Sequence, residues 1–375
     1  MTADRVLVFN AGSATLKYAL FGPVVAHEPG ACVARGQLEL PTGSRDEAVR
    51  GGIAQIVRDV GEFAAAGHRI VHGGPLYTRC VAVDARVLAD LAALQSLAPL
   101  HQGHGLAVIT ALREAQPTLP QFASFDTAFH STMPNVATRF ALPQVWFDRG
   151  IRRYGFHGLS YEYIACKLQE LSAAQSLSMN RVVVAHLGSG ASLCALRGGT
   201  SIATTMSFTP TDGLMMATRS GALDPSIVTY LMREFAMNAA QVDHLLNYEA
   251  GLLGVSGVSG DMRELLVSAD PHARLAVDLF VYRIVVEMGA MIAALGGVDA
   301  LVFTGGIGTH QAIVRERVST AFGWLGVECD RARNDAGETR FDADRSRVAL
   351  WNIPTDEEFV IARHTAQLFA QRTAT

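Results

Sequence analysis

Two stretches half a chain apart pass through the same series of events, and any fold must satisfy both. Residues 5–20 read RVLVFNAGSATLKYAL and residues 181–196 read RVVVAHLGSGASLCAL. Each opens with a continuous apolar run that predicts a buried strand, turns on small polar residues, and returns as a second strand ending in Ala-Leu. The first turn, Asn10-Ala11-Gly12-Ser13, has the chemistry to hold an anion. Gly12 lets the backbone approach closely, Asn10, Ser13 and Thr15 offer side-chain hydrogen bonds, and Lys17 supplies a cation. The same residues also make an ordinary hairpin turn. The second turn, Gly188-Ser189-Gly190, repeats the pattern. Such an internal duplication predicts two lobes of related build, each presenting a phosphate-facing hairpin to a shared cleft; chance recurrence of common turn residues is the alternative.

A chain of 375 residues exceeds one ordinary core, so two domains are expected. Its 49% hydrophobic and 18% charged residues suit a well-packed soluble enzyme. A net charge of -4 without a basic cluster argues against nucleic acid as the main partner. The N-terminus enters a strand without the apolar region of a signal peptide. The most apolar stretch, 284–303, is broken by Glu287, Gly289, Gly296, Gly297 and Asp299, so no membrane span is expected. Five cysteines without a CxxC pair suit a reducing cytoplasm and no structural zinc. Lysine occurs only at Lys17 and Lys167, and one of the two stands beside the candidate phosphate turn.

Between the hairpins the chain alternates strands with helices. Short strands are expected over 24–40, an amphipathic helix over 46–65, and a strand through His68-Arg69-Ile70-Val71-His72 into the Gly73-Gly74 turn. Asp84 caps a helix to about residue 97, and an irregular loop runs on to His104. A helix over 105–116 and a strand over 121–126 follow, the strand ending on Asp126, where α/β proteins place chemistry. The Pro- and Gly-punctuated segment 130–155 marks a boundary, giving lobes 1–130 plus 360–375 and 131–359. Ser160 is the expected cap of the next helix and Asp224-Pro225 begins another. Residues 251–260, GLLGVSGVSG, read as a flexible loop ending at Asp261 and Arg263. An apolar helix over 271–295 leads to a strand over 300–304 and then Gly305-Gly306-Ile307-Gly308, a turn that resembles a nucleotide site without specifying one, before a helix over 309–322. The strand 348–353 runs into Thr355-Asp356-Glu357-Glu358, where Thr355 and Glu358 have capping-box spacing and leave Asp356 and Glu357 for other roles.

Glycine turns after strands, the strand-associated arginines Arg69 and Arg219, isolated histidines and strand-end carboxylates match the needs of phosphoryl transfer. Amides and guanidinium groups hold the γ-phosphoryl charge, carboxylates hold Mg²⁺, and little covalent chemistry is required. No P-loop GxxxxGK[ST] or protein-kinase signature occurs. From the residues alone the reading is a two-lobed ATP-dependent phosphotransferase. Arg69 and Arg219 would serve equally as structural ion-pair partners. A metal pair of His101 and His104 is opposed by Pro99 and Gly103.

In order along the chain, NAGSATLKY, GHRIVHGG, APLH, FDTAFHSTMP, RRYGFHGLS, VVAHLGSGASL, SFTPTDGL, TRSGALDPSIV, GLLGVSGVSGDMREL, VFTGGIG and IPTDEE resemble the motifs of the acetate kinase family. The resemblance covers nearly the whole chain. It implies an α/β, two-lobed, duplicated ribonuclease-H-like fold of the actin-like ATPase superfamily with an interdomain active-site cleft. It also implies reversible, in-line phosphorylation of acetate by ATP to acetyl phosphate and ADP, with Mg²⁺ or Mn²⁺, by a cytoplasmic homodimer. By the same resemblance Asn10, Arg69 and Arg219 grip the transferring phosphoryl group, His157 hydrogen-bonds it, and Asp126 is the catalytic aspartate. Glu357 with Asn10 holds the metal, and His101 and His186 are accessory. Ser13, Thr15 and Lys17 form the phosphate hairpin, with Leu187, Gly188, Ser189 and Gly190 opposite. Asp261, Met262, Arg263, Gly305, Gly306, Ile307 and Gly308 belong to the nucleotide pocket. Val71, Leu100, Phe156 and Pro210, with Arg69, surround the acyl group. Such a wall rejects one methylene by only about 1–3 kcal/mol, so propionate or another short-chain acid is the alternative substrate.

The chain departs from the family pattern at Ser189 and Gly260, where asparagine is usual, at Pro75, where glutamate is usual, and at Thr309-His310, where Glu-Asn is usual. A serine hydroxyl reaches less far than a carboxamide, so Ser189 bears on nucleotide affinity. A non-catalytic nucleotide-binding regulator or chaperone of the superfamily is the reading from another class. It would not need Asp126, Arg219 and Glu357 together.

Overall fold

Residues Val6–Ala11 (β1) are buried at every position, and their alternation distributes them between two cores. Leu7 and Phe9 pack with Val49, Ile53, Ile56, Val108 and Leu112, carried by the helices Arg45–Val60 and Gln102–Ala115. Val6 and Val8 pack on the other face with Leu159, Val360 and Ile361, the last two on the C-terminal helix Glu357–Thr373. A strand covered on both faces needs apolar side chains at odd and even positions alike, which is why its sequence is an unbroken run. The computed structural model describes residues 4–12, 15–39, 45–98, 102–175 and 179–373. Ser13, Leu100 and His101 lie outside the described residues.

After β1 come β2 (Thr15–Phe21), β3 (Cys32–Glu39), β4 (Ala65–Ile70), β5 (Val81–Ala82) and β6 (Gln121–Phe125). They form one sheet in the order β3-β2-β1-β4-β6-β5. The first three strands are an antiparallel meander, and β4 and β6 add in parallel to β1. The second sheet holds β7 (Arg181–Leu187), β8 (Ala191–Arg197), β9 (Thr200–Thr204), β10 (Ala300–Thr304) and β11 (Ala349–Asn352), ordered β11-β10-β7-β8-β9. Counted from β9, the strand order and directions repeat those of β3-β2-β1-β4-β6. The fold is therefore a duplicated α/β fold of the actin-like ATPase type, and the paired hairpins of the sequence are the cores of its two halves.

The chain divides into one compact unit of residues 1–131, 156–163 and 356–375 and a second of 132–155 and 164–355. The division differs from the expected lobes at residue 131 and, more substantially, at 156–163 and 356–359. Leu159 and Phe359 join the core beneath Val6 and Val8, which draws both segments to the first sheet.

Several local expectations are revised. Among the described residues of the 24–40 region a single strand, Cys32–Glu39, forms besides an isolated bridge, and the helix Arg45–Val60 stops short of β4. Residues 251–260 are not a loop throughout: Gly251–Ser256 is a helix, and only 257–260 are irregular. Gly251, at φ +64°, has no Cβ to overlap Met216 O and so seats this helix against the 216–219 segment. The GGIG segment is itself helical, Gly305–His310, and Ala312–Thr320 is a separate helix. Ser160 lies buried inside the helix Gly158–Gln175 rather than at its cap. Arg219 sits in irregular backbone, not on a strand. At the C-terminal helix the cap is Asp356, whose Oδ1 accepts from Phe359 N at 3.0 Å. A carboxylate there suits the positive end of the helix better than the Thr355 hydroxyl. Asp356 also pairs with Arg35 at 2.9 Å. Among the described residues no helix is long and apolar enough to cross a membrane.

Candidate active site

β1, β4 and β6 are adjacent and parallel, so residues at their C-terminal ends lie side by side, where open α/β sheets bind ligands. Side-chain alternation decides the face. Gly67 on β4 faces the C-terminal helix, for a Cβ there would overlap Thr365 Oγ1, and Arg69 two residues on shares that face. Ser124 of β6 contacts His364 of the same helix, and Asp126 follows two residues later. Asn10 shares the face of Val6 and Val8. The three groups therefore converge: Arg69 Nε donates to Asp126 Oδ1 at 3.0 Å, its Nη2 to Asp126 Oδ2 at 2.5 Å, and its Nη1 to Asn10 Oδ1 at 3.3 Å. The N-terminus of the helix Glu357–Thr373 completes the cluster. Asn10 Nδ2 donates to Glu357 Oε2 at 3.1 Å and to Glu358 Oε1 at 2.7 Å.

Three carboxylates thus share the site with one guanidinium. Burial opposes the charge on Arg69, but Asp126, Glu357 and Glu358 outweigh it and keep the guanidinium protonated. Burial pushes the Asp126 carboxyl up, against the pull of Arg69, and Glu357 adds to the push. Burial and then Glu357 raise Glu358, with Asn10 offsetting part of the rise. The cluster carries more negative charge than its own cation neutralises.

That excess is the property that bears on Mg²⁺. Among the described residues no three acidic, His or Cys side chains form a metal cage. A magnesium ion needs none, since it takes one or two carboxylates and completes its shell with water and phosphate oxygens. Glu357 and Glu358 fit that requirement. Asn10 does not fit in this arrangement, because its amide nitrogen faces the carboxylates and its oxygen is held by Arg69.

His157 follows buried Phe156 and has φ +57°, a left-handed conformation that costs a non-glycine residue about 1–3 kcal/mol and persists only where its surroundings over-determine it. They do so here. Gly158 N donates to Asp126 O at 2.9 Å, and His130 Nε2 hydrogen-bonds Phe156 O at 2.9 Å. Burial lowers the His130 pKa to about 4, so this anchor is a neutral ring. The Phe156 ring stands edge-on to His72 at 5.5 Å, beside buried Val71. On the opening hairpin, Gly12 N donates to Thr15 O at 2.8 Å, and exposed Lys17 pairs in register with Asn10.

The second unit gathers most of the expected nucleotide residues. The turn Gly188-Ser189-Gly190 and the start of Gly305–His310 touch: a Cβ on Gly305, at φ +75°, would come within 2.6 Å of Leu187 O, and one on Gly188 within 3.8 Å of Gly306 N. Ala217 N donates to Ser189 O at 3.1 Å, and a Cβ on Gly260 would lie 3.0 Å from Ala217 O. Asp261 caps the helix Met262–Val267 and pairs with exposed Arg263, while Met262 is buried. His186, next to last in β7, is in register with Thr304, and Ile307 and Gly308 follow within the helix Gly305–His310. Arg219 Nη1 donates to Pro210 O at 2.7 Å, which joins two expected site residues of this unit.

Residues 34–363 match the Acetokinase family. The chain belongs to that family. An acetate kinase of Rhodopseudomonas palustris is 49% identical over 98% of both chains. The crystal structure of Porphyromonas gingivalis acetate kinase has a TM-score of 0.84 at 34% identity, covering 98% of this chain and 100% of that one. A propionate kinase of Francisella tularensis has a TM-score of 0.85 at 33% identity, covering 96% and 99%.

Some groups that shape these two clusters, one in each unit, escape a sequence reading. Glu358 carries capping-box spacing yet turns to Asn10. His130 looks like one more loop histidine until its contact with Phe156 O is known. Arg315 is fully buried and donates to Gly308 O at 3.0 Å, Thr309 O at 2.6 Å and Asn334 Oδ1 at 2.7 Å, fastening the end of the GGIG helix. An arginine in mid-helix ordinarily reads as a solvated residue.

Proposed function

We propose that this chain transfers the γ-phosphoryl group of ATP to acetate, reversibly, giving acetyl phosphate and ADP. Membership of the acetokinase family supports the reaction, and the Asn10–Arg69–Asp126–Glu357–Glu358 cluster carries the assignment of roles. The acceptor is a carboxylate and already a nucleophile, so no base has to remove a proton. The obstacle is bringing one anion against another, and fixed cations in a water-poor site are the remedy. In this reading Arg69 and Arg219 hold the acceptor and the phosphoryl oxygens, and Asn10 and His157 hydrogen-bond the moving group. An acetate oxygen bonds to the γ-phosphorus as the bond to the β–γ bridging oxygen breaks. Asp126 holds Arg69 in plane through its bidentate pair. Mg²⁺ bound by Glu357 and Glu358 would supply further charge neutralisation on the phosphates. The nucleotide takes His186, residues 187–190, 261–263 and 305–308, with Thr15 and Lys17 from the opening hairpin. Val71, Phe156 and Pro210 form the apolar wall.

Purified protein with ATP, Mg²⁺ and acetate should yield acyl phosphate trapped by hydroxylamine; no hydroxamate above background overturns the reading. Arg219→Ala should lower kcat by about 10²–10³-fold with the fold intact, as expected for a donor aimed at transition-state charge. Near-normal turnover would remove Arg219 from the mechanism. The likeness to the Francisella propionate kinase favours a second reading, a propionate or other short-chain acyl kinase. The ratio of kcat/KM for acetate, propionate and butyrate separates the two. A cytoplasmic location belongs to the same proposal. We infer a homodimer, supported by the helix Pro225–Glu234, which buries none of its side chains and, with the next residue, exposes Ile227, Tyr230, Met232 and Phe235.

A further inference from the structure

Two helices begin, within the first unit, at proposed active-site groups. The C-terminal helix starts with Glu357 and Glu358, and the helix Gly158–Gln175 starts just after His157. Farther along, Glu162 ties them together. Its Oε1 accepts from Arg363 Nη2 at 2.8 Å and from His364 Nε2 at 2.8 Å. In the tautomer that carries its proton on Nε2, His364 accepts on Nδ1 from Ser124 Oγ at 3.1 Å. Ser124 lies on β6, two residues before Asp126. One polar chain, Ser124–His364–Glu162–Arg363, therefore links the three elements that end in Asp126, in His157 and in Glu357 with Glu358.

Packing alone would hold these helices against the sheet, as Val360 and Ile361 already do. Apolar contacts tolerate sliding and rotation, whereas a shared carboxylate oxygen with two fixed donors does not. The side chains of Glu162, Arg363 and His364 are 18–23% exposed and Ser124 is 1% exposed, so the bonds form largely out of water. Burial works to raise the Glu162 carboxyl, but His364 and Arg363 hold it below the usual carboxylate range.

We propose that Glu162 is a positioning residue: through His364 and Arg363 it fixes the register of the two helices, and so the spacing of His157, Asp126 and Glu357. The inference rests on the phosphotransferase reading above. The network borders a cavity of about 580 Å³ lined by Cys80, Phe129, Glu162, His364 and Gln367 among others. Water can fill the space left by a truncated side chain there, so alanine at 162 is compatible with folding.

Steady-state hydroxamate kinetics and thermal melting on E162A, E162Q, H364A and the double variant E162A/H364A test this. A misplacement of about 1 Å costs up to about 10²-fold in rate, so E162A and H364A should each lower kcat by about 10–100-fold while the KM for ATP stays within about twofold. The double variant should be no slower than the slower single, because both break one linkage. E162Q keeps an acceptor oxygen and should regain most of kcat. A folded E162A with parental kcat, additive losses in the double variant, or a loss that merely tracks the unfolded fraction would each overturn the proposal. Should E162A fail to fold, S124A decides: it removes one hydroxyl, and its kcat should drop by about threefold or more, parental kcat counting against us. A parent chain without hydroxamate activity sinks the phosphotransferase reading itself. An active parent with unaffected variants sinks only the role of Glu162.

Discussion

Arg69 faces two partners that ask different things of it. Asp126 takes two of its nitrogens in a bidentate pair, and Asn10 takes the third, so the guanidinium plane is set before any ligand arrives. Arg69 and Asp126 were legible as a strand-borne arginine and a strand-end carboxylate. The split between Glu357 and Glu358 was not, because the capping-box spacing assigned Glu358 to the helix start and left Asp356 unused. Asp356 is itself the cap residue, and its carboxylate does that work. Glu358 is thereby released to Asn10 at a cost that can be measured. Its folded pKa is raised by burial and by Glu357, so its ionised form opposes folding at neutral pH, and this penalty fades as the pH falls towards 4.5, the ordinary glutamate value. Glu358→Gln should therefore melt higher than the parent at about pH 8 in the presence of a chelator, with the gap closing in acid. A constant gap across that range would show that charge is not the cause.

Helices and turns in this chain are placed by glycines at close approaches more than by propensity. Gly158 carries its backbone N–H to Asp126 O, and a Cβ there would overlap that oxygen and meet Phe129 Cβ at 3.0 Å. Gly158→Ala should destabilise by about 1–3 kcal/mol in denaturant melts and lower kcat, since relief of the clash moves both Asp126 and His157. Gly289 is the control: it sits inside the helix Pro271–Leu295, and a Cβ added there would meet nothing within 4 Å, so Gly289→Ala should stabilise by about 0.5–1 kcal/mol. Close approach also accounts for segment 251–260. Its glycines looked like flexibility, yet Gly251 is there because Met216 and Arg219 leave no room for a side chain. Glycine composition cannot separate a mobile loop from a tight contact, because both require a missing Cβ.

At the scale of the whole molecule the repeated sheet order dominates, and it was foreshadowed by the paired hairpins at 5–20 and 181–196. The proposed homodimer belongs to this scale. Light scattering on the eluting protein should give twice the chain mass, and Tyr230→Asp with Phe235→Asp should shift it to a monomer if the exposed face of Pro225–Glu234 is the interface. A dimer that survives both changes places the interface elsewhere. By itself the sequence determined the buried strands, the glycine turns of the two hairpins, most helix starts and the family, because burial pattern and turn chemistry are written within a few residues of each other. Only the tertiary structure decided which carboxylates meet Asn10, how His157 is pinned in its left-handed conformation, and that Ser124, Glu162 and His364 form one network. Those contacts join residues as far apart as the 348 positions between Asn10 and Glu358, and they depend on the phase in which each helix lands on its sheet, which no local spacing records.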